Sequence, residues 1–350
     1  MILNDFIKKE TEWLKGEGPY SNIAISTRVR VARNIKGHLY YDRADSKQRE
    51  DTLGAVTANM KRNKFLQGAL FLRIKDLSDL DRVFLVERHL MSREHTQDVA
   101  HKGLVIDEKE IISAMLNEED HIRFQVLQSG FNIVEAWRIV DEIDTDLGQH
   151  LPFDFSNEYG YLTSCPTNTG TGLRASVMLH LSGLVISGQI ENVFDAISKL
   201  GLTMRGFYGE GTEALGDFFQ ISNQVALGHS EMDILDNLER IIHKIISREE
   251  KTRENLIKKH KQETSDRIKR SYETLKSASI ITSAETIKLL SAVRFGADLG
   301  IIKDIDTATI NEVLLLTQPA HLQKITGETI APHERDMKRA DLIHERLGKK

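Results

Sequence analysis

Ser26-Thr-Arg-Val-Arg-Val-Ala-Arg33 alternates long cations with β-branched apolar residues. A period of two is the mark of a strand with one wet face and one dry face. Arg28 and Arg30 fall on one side and Val29 and Val31 on the other. Two guanidiniums that close repel each other unless an anion lies between them. Outward from this segment, Gly103-Leu-Val-Ile-Asp107 and Gly183-Leu-Val-Ile-Ser187 are short apolar bursts bounded by turn residues, and both read as strands. Residues 122–127, 133–143 and 190–200 space apolar residues three or four apart and read as helical. The first two-thirds of the chain is therefore mixed α and β.

The character changes near residue 230. No glycine or proline occurs between Gly228 and Gly296, and 22 of the 46 residues 231–276 are Asp, Glu, Lys or Arg. Ile234, Leu238, Ile241, Ile242 and Ile245 mark one face of a long helix, and residues 284–299 form a further helical group. Residues 1–228 are expected to form one domain and 229–350 a second, all-helical one.

Lys and Arg (47) against Asp and Glu (52) leave a net charge of −5 on 350 residues that are 40% hydrophobic. Such a chain can bury a core and carries no nucleic-acid arm. No apolar run approaches the ~18 residues of a membrane helix, and the first ten residues lack the apolar block of a signal peptide. Cys165 is the only cysteine, so an internal disulfide and a cysteine zinc site are both excluded, and a cytoplasmic location is expected. There is no Gly-x-x-x-x-Gly-Lys-Ser/Thr loop, no His-Arg-Asp or Asp-Phe-Gly pair and no His-Glu-x-x-His. Gly170-Thr-Gly172-Leu-Arg-Ala175 fits a loose dinucleotide fingerprint, but no clean buried strand precedes it.

Four segments hold polar residues that ordinary folding does not call for. Beside Arg28 and Arg30 stands Asn117-Glu-Glu-Asp-His121, followed by Arg123. An Asn with acids behind it reads as a helix start, with Arg123 one turn after Glu119. Cys165-Pro-Thr-Asn-Thr-Gly-Thr-Gly-Leu-Arg174-Ala-Ser-Val-Met178 reads as a loose loop that presents backbone amides and delivers an arginine onto a helix start. Arg205-Gly-Phe-Tyr-Gly-Glu210-Gly-Thr-Glu213 is a second flexible loop, and Glu87-Arg-His89 a possible fifth element. Gathered in one cleft, Arg28, Arg30, Arg123, Arg174 and Arg205 would suit a magnesium nucleoside triphosphate. Glu119, Asp120 and Glu213 would repel phosphate and instead suit a cationic acceptor, best a planar guanidinium.

Ser-Thr-Arg-Val-Arg, Asn-Glu-Glu-Asp-His-Ile-Arg, Cys-Pro-Thr-Asn-x-Gly-Thr-x-x-Arg-Ala-Ser-Val and Arg-Gly-x-x-Gly-Glu-x-Thr-Glu together resemble the phosphagen (guanidino) kinases, in family order from Ser26 to about Glu231. The resemblance is closest to the bacterial protein-arginine kinases. Small-guanidine kinases carry a helical domain before the first motif, whereas 25 residues precede Ser26 here, so an open acceptor site is expected. Tyr208 stands where arginine and creatine kinases place a phosphate-binding arginine, a place Arg205 would fill. Arg335-Asp-Met-Lys-Arg339-Ala340 matches the protein-arginine kinase signature for an allosteric phosphoarginine pocket. Arg335 and Arg339, four apart on a helix, would grip phosphate, and Asp336 the guanidinium.

The resemblance implies an α+β guanidino-kinase catalytic domain, a largely antiparallel sheet flanked by helices, followed by a small helical domain. It implies ATP and Mg2+ as cofactors, with no dedicated metal site. The nucleotide would lie among Ser26, Thr27, Arg28, Val29, Arg30, His89, Arg123, Arg174, Ala175, Ser176, Val177, Met178, Arg205, Gly206, Phe207, Tyr208, Gly209 and Glu210. Glu119 would orient the acceptor nitrogen and take its proton, Glu213 would hold the opposite side, and Asp120 would share that role or order its loop. Cys165 would contact the acceptor. Proteins bearing arginine, a zinc-containing activator, a Clp-type protease and a second copy of the chain are the implied partners, with neither nucleic acid nor membrane among them. A kinase of free arginine, or an adaptor that reads phosphoarginine, are the alternatives.

Overall fold

The computed structural model describes residues 3–206 and 214–348. Among these residues ten strands are formed: β1 (Ala24–Arg33), β2 (Leu70–Arg73), β3 (Gly103–Ile106), β4 (Ile112–Leu116), β5 (Ile122–Ser129), β6 (Phe155–Ser156), β7 (Gly160–Tyr161), β8 (Leu173–His180), β9 (Leu202–Gly206) and β10 (Phe218–Asn223). Eight of them make one antiparallel sheet in the order β2-β3-β4-β5-β1-β8-β10-β9, and β6 and β7 form a separate hairpin. The alternating segment 26–33 lies at the centre of that sheet. This is the expected guanidino-kinase architecture, α+β with an antiparallel sheet.

Helices flank the sheet on the side where its apolar residues point. These are α1 (Ser46–Met60), α3 (Ile133–Gly148), α4 (Ser182–Ile186), α5 (Ile190–Lys199) and α6 (Glu231–Lys259), whereas α2 (Asp79–Glu87) packs through Phe84 and Leu85 on Leu104, Ile106 and Met115, on the other side. Val29, Val31, Phe124, Val126, Ala175, Val177 and Ile221 share one core with Ile133, Ala136, Val140, Ile143 and Leu147 of α3 and with Ile234 to Ile246 of α6. A capping box, Ser230 with Asp233, starts α6. Its far end, at Leu256, enters a second core with α7 (Lys261–Ser277), α8 (Ser283–Asp298), α9 (Thr307–Leu316) and α11 (Pro332–Gly348). Between α9 and α11 lies α10 (Pro319–Thr326). The glycine-free stretch is not one helix, because His260 leaves helical geometry (φ −131, ψ 30).

Two expected elements change type. Residues 122–127 are strand β5, since the alternation Ile122-Arg-Phe-Gln-Val126 outweighs the apolar spacing once β1 and β4 flank it. The burst 183–187 falls in helix α4 except for Ser187, which follows it, because the carboxylate of Glu249 accepts from Gly183 N (2.8 Å) and Leu184 N (2.9 Å) and so caps that turn. That partner lies more than 60 residues away, out of reach of local pattern.

Candidate active site

Strand register assembles the site. Arg30 pairs with Arg174 of β8 and Gln125 of β5, and Arg28 pairs with Ser176 and Leu127. Gln220 of β10 lies opposite Met178 on one side and Arg205 of β9 on the other. Residues paired across a sheet point to the same face. Arg123, Arg28, Arg30, Arg174 and Arg205 therefore project from one face of adjoining strands. Helices α3 and α6 cover the opposite face.

These cations are poorly matched by anions. Among the described residues Arg28, Arg30 and Arg174 form no ion pair, and the Nε atoms of Arg28, Arg30, Arg123 and Arg174 are buried without a hydrogen-bond partner. Burial, then Arg123 and Arg174, push Arg28 down to about 10. Burial, then Arg28, Arg123 and Arg174, hold Arg30 well below its usual value. Arg174 is lowered by burial and by Arg205 and Arg123. The fold thus gathers guanidiniums where burial and one another disfavour their charge, and an anion would relieve that. The polar neighbours are neutral. Arg174 Nη2 donates to Ser222 Oγ (3.2 Å), and Gln220 Nε2 to Ser176 Oγ (3.1 Å).

One carboxylate does enter this face. Glu118, buried, pairs with Arg123 at 2.8 Å and accepts from Ser92 Oγ. The sequence reading placed Glu119 as the neighbour of Arg123 on a helix. Instead residues 117–121 form the turn of the β4–β5 hairpin, with Asn117 at φ 57 and its N donating to His121 O (3.0 Å). In that turn Glu118 and Asp120 point inward and Glu119 outward. Burial, then Asp120 and Glu118, raise the Glu119 carboxyl above its ordinary value, while Arg123 and a hydrogen bond with Cys165 oppose the rise. Asp120 accepts from Asn34 Nδ2 and Ser164 N, each at 2.7 Å. Of the two roles expected for it, the ordering of the loop is the one with visible contacts. Ser164 Oγ also donates to Glu119 O (2.9 Å), which brings Cys165 beside the turn.

The third motif differs from expectation in two ways. Arg174 stands on strand β8, not at a helix start. The two glycines serve close chain approach: a Cβ on Gly170 (φ +114) would lie 2.6 Å from Ala226 O, and one on Gly172 (φ +67) would lie 2.6 Å from Ala32 O. Thr27, Val29, Ala175 and Val177 are fully buried on or beside the apolar face and support the site from behind. Ser26, Ser176 and Met178 lie on the arginine side by register. His89 has φ 60 and stands edge-on to Trp13 (4.7 Å). Burial and Arg28 push it down to about 3, so it is a neutral neighbour of the cations. Gly206 ends β9. Phe207, Tyr208, Gly209, Glu210 and Glu213 lie outside the described residues.

Glu118, Gln125, Gln220 and Ser222 were not singled out from sequence. The alternation Arg123-Phe-Gln125 carried a signal for Gln125. The others become neighbours only through register. Arg335, Asp336, Arg339 and Ala340 lie together on α11, away from the sheet. Arg339 is buried, donates to Thr317 O and Ile281 O (each 2.8 Å), and pairs with Asp336. Arg335 is half-buried, and its Nε has no partner.

Residues 52–252 match the family described as ATP:guanido phosphotransferase, C-terminal catalytic domain, and residues 261–350 match the protein-arginine kinase McsB C-terminal domain. The protein-arginine kinase of Halothermothrix orenii is 44% identical over 99% of this chain and 100% of its own. That of Bacillus subtilis is 42% identical over 99% and 96%. Among solved structures, the duplicated taurocyamine kinase from Schistosoma mansoni with bound transition-state analogue components superposes with a TM-score of 0.60 at 26% identity, over 66% of this chain and about a third (33%) of that one. Lombricine kinase shares the fold, with a TM-score of 0.59 at 24% identity over 67% of this chain and 68% of its own. The chain belongs to the protein-arginine kinases, within the ATP:guanido phosphotransferases.

Proposed function

We propose that this protein transfers the γ-phosphoryl group of ATP to a terminal nitrogen of arginine side chains in proteins. The observation that carries the reading is the face of Arg28, Arg30, Arg123, Arg174 and Arg205, cationic and short of partners, with the carboxylate turn at residues 118–120 beside it. Forked guanidiniums with free Nε donors fit a polyphosphate. When bound, ATP would supply the phosphoryl group, and Mg2+ would add positive charge to offset that of the phosphates. Around them the five arginines fix the phosphate chain and compensate the charge that builds up in transfer. Glu118 holds Arg123 in place, and Ser222 Oγ receives Arg174. His89 stays neutral and adds no charge of its own.

Glu119 takes the acceptor. An outward carboxylate receives a guanidinium in forked fashion and removes its proton as the N–P bond forms, because free guanidinium holds that proton to a pKa above ~12. The raised pKa of Glu119 makes it a stronger base than an ordinary carboxylate. Cys165 flanks the same acceptor. Glu213, from the second loop, supplies the opposite grip in this reading, and Tyr208 with residues 206–210 completes the phosphate clamp.

The finer functional reading belongs to the same proposal: marking proteins for degradation, acting on stress-response repressors, working with a zinc-containing activator and a Clp-type protease, and assembling as a homodimer in the cytoplasm. So does a phosphoarginine site at Arg335–Ala340, where an arriving phosphate would draw Arg339 away from Asp336. The same holds for the division of labour between residues 1–228 and 229–350.

Isotope transfer from ATP to an unfolded protein, with acid lability and mass-spectrometric site mapping, tests the core reading. Label on arginine that is lost in acid supports it, whereas acid-stable label on serine overturns it. In Glu119→Gln, transfer is expected to fall by ~10²–10⁴ with ATP affinity nearly unchanged. An equal loss of nucleotide binding would make Glu119 architectural.

A further inference from the structure

Three large hydrophobic side chains stand exposed beside the acceptor turn: Leu39 (52%), Phe155 (53%) and Tyr159 (48%). Leu39 is tied to that turn directly, and the hairpin that carries Phe155 and Tyr159 is tied to it through Asp154 and Asn34. His121 Nε2 donates to Leu39 O (2.9 Å) and receives Ile35 N at Nδ1 (3.0 Å). Asn34 bonds Asp120 through Nδ2, and its carbonyl accepts from Asp154 N (2.8 Å). Tyr40 OH donates to Asp154 Oδ2 (3.0 Å), and Leu162 N to Asp154 O (3.0 Å). The β6–β7 hairpin and residues 34–40 thus form one ledge joined to the turn at Asp120 and His121, next in sequence to Glu119.

The ledge is braced from behind. Phe155 packs edge-on against Tyr161 (5.2 Å), and the Arg33 guanidinium lies 3.4 Å from the Tyr161 ring centroid. Asp144 holds Arg33 in turn at 2.7 Å. Apolar groups kept on a braced surface next to a reacting carboxylate suit recognition better than burial. Asp154 and Glu158 stand on the ledge and Glu119 on the adjoining turn, against the single lysine of residues 34–40, Lys36. Acidic charge with apolar anchors complements a polypeptide that carries arginine together with bulky apolar residues.

We propose that this ledge docks the polypeptide bearing the target arginine and selects extended segments with a bulky apolar residue a few positions from it. This rests on the arginine-kinase reading and adds the rule by which acceptors are chosen. Such segments are buried in folded proteins and open in unfolded ones, so the ledge would favour unfolded chains.

The test uses the full chain and two short peptides, each with one arginine in a Gly/Ser background, one of them also carrying Phe and Leu near the arginine. The wild-type protein is expected to show kcat/KM ~10-fold or more higher for the apolar peptide, mostly in KM, the scale of partly burying one or two such side chains. In Phe155→Ser/Tyr159→Ser the two peptides should become equal, with the plain peptide's rate within ~2-fold of wild type. Leu39→Ser alone should reduce the preference by less than the double variant does. No preference in the wild type, or a preference that survives in these variants, overturns the proposal. So does a variant whose oligomeric mass changes while its preference does not, since the ledge would then face a second copy. Absence of acid-labile arginine label on both peptides would sink the underlying reading itself, a result distinct from loss of preference.

Discussion

The chain buries arginines in two ways. On the sheet face Arg28, Arg30 and Arg174 have other cations for neighbours and, among the described residues, form no ion pair; the Glu118 carboxylate is taken by Arg123. Elsewhere Arg253, Arg88 and Arg33 are paired with carboxylates, while Arg294 is held by Asn311 and the Ser21 carbonyl. Arg253 pairs with Glu249 (2.7 Å) and Asp298 (3.3 Å) and also donates to His180 O (3.1 Å). Arg88 is bidentate to Glu110, at 2.8 and 2.7 Å. Arg33 binds Asp144 and the carbonyls of Ala32 and Thr171. Arginines of the second kind hold elements together, as Arg253 holds α6 to the end of β8 and, through Asp298, to α8. Arginines of the first kind weaken the empty fold, because each depressed pKa records a charged form that the folded state disfavours. A folding chain gains nothing from such an arrangement, whereas binding a polyanion does.

The largest expected effect separates the two kinds in function. Arg30→Ala should lower phosphoryl transfer by ~10³-fold or more, while the melting temperature of the nucleotide-free protein stays level or rises. A clear fall in that temperature would erase the contrast, because Arg30 would then be holding structure. The reciprocal experiment comes next. Arg253→Ala strands the buried carboxylate of Glu249 and should cost about 3–5 kcal/mol of stability in denaturant unfolding. A stability loss under ~1 kcal/mol would show that the pair is dispensable and that the distinction does not map onto burial.

The smallest effect concerns pH and sharpens the role of the acidic turn. Glu119 must be ionised to accept a proton, so transfer is full above its raised pKa and falls as pH drops through it. Asp120 is the second cause of that rise, after burial. Asp120→Asn keeps an oxygen for Asn34 and Ser164 but removes the charge, so the acidic limb should move to lower pH. An unmoved limb would assign it to another group. His89, pushed down to about 3, should leave no inflection near neutrality.

The alternation at residues 26–33 carried its own meaning in the sequence, since a strand's two faces follow from covalent geometry alone. Residue chemistry told as much: forked cations for phosphate, carboxylates for a guanidinium, and motifs in an order that implied the family. Local pattern was weaker where it had two readings. Residues 122–127 satisfied both a helical and an alternating spacing, and only the strands on either side decided between them. Residues 183–186 became helix because of a carboxylate on α6, and residues 117–121 became a hairpin turn that exchanges Glu119 for Glu118 beside Arg123.

What the sequence by itself determined was the set of reacting groups and the strand that carries two of them, because side-chain chemistry and backbone period are local properties. The tertiary structure decided which cations meet, which carboxylate is paired and which is left for the acceptor. Those outcomes depend on strand register and on partners far apart along the chain, and the free energy that selects them is shared by the whole core.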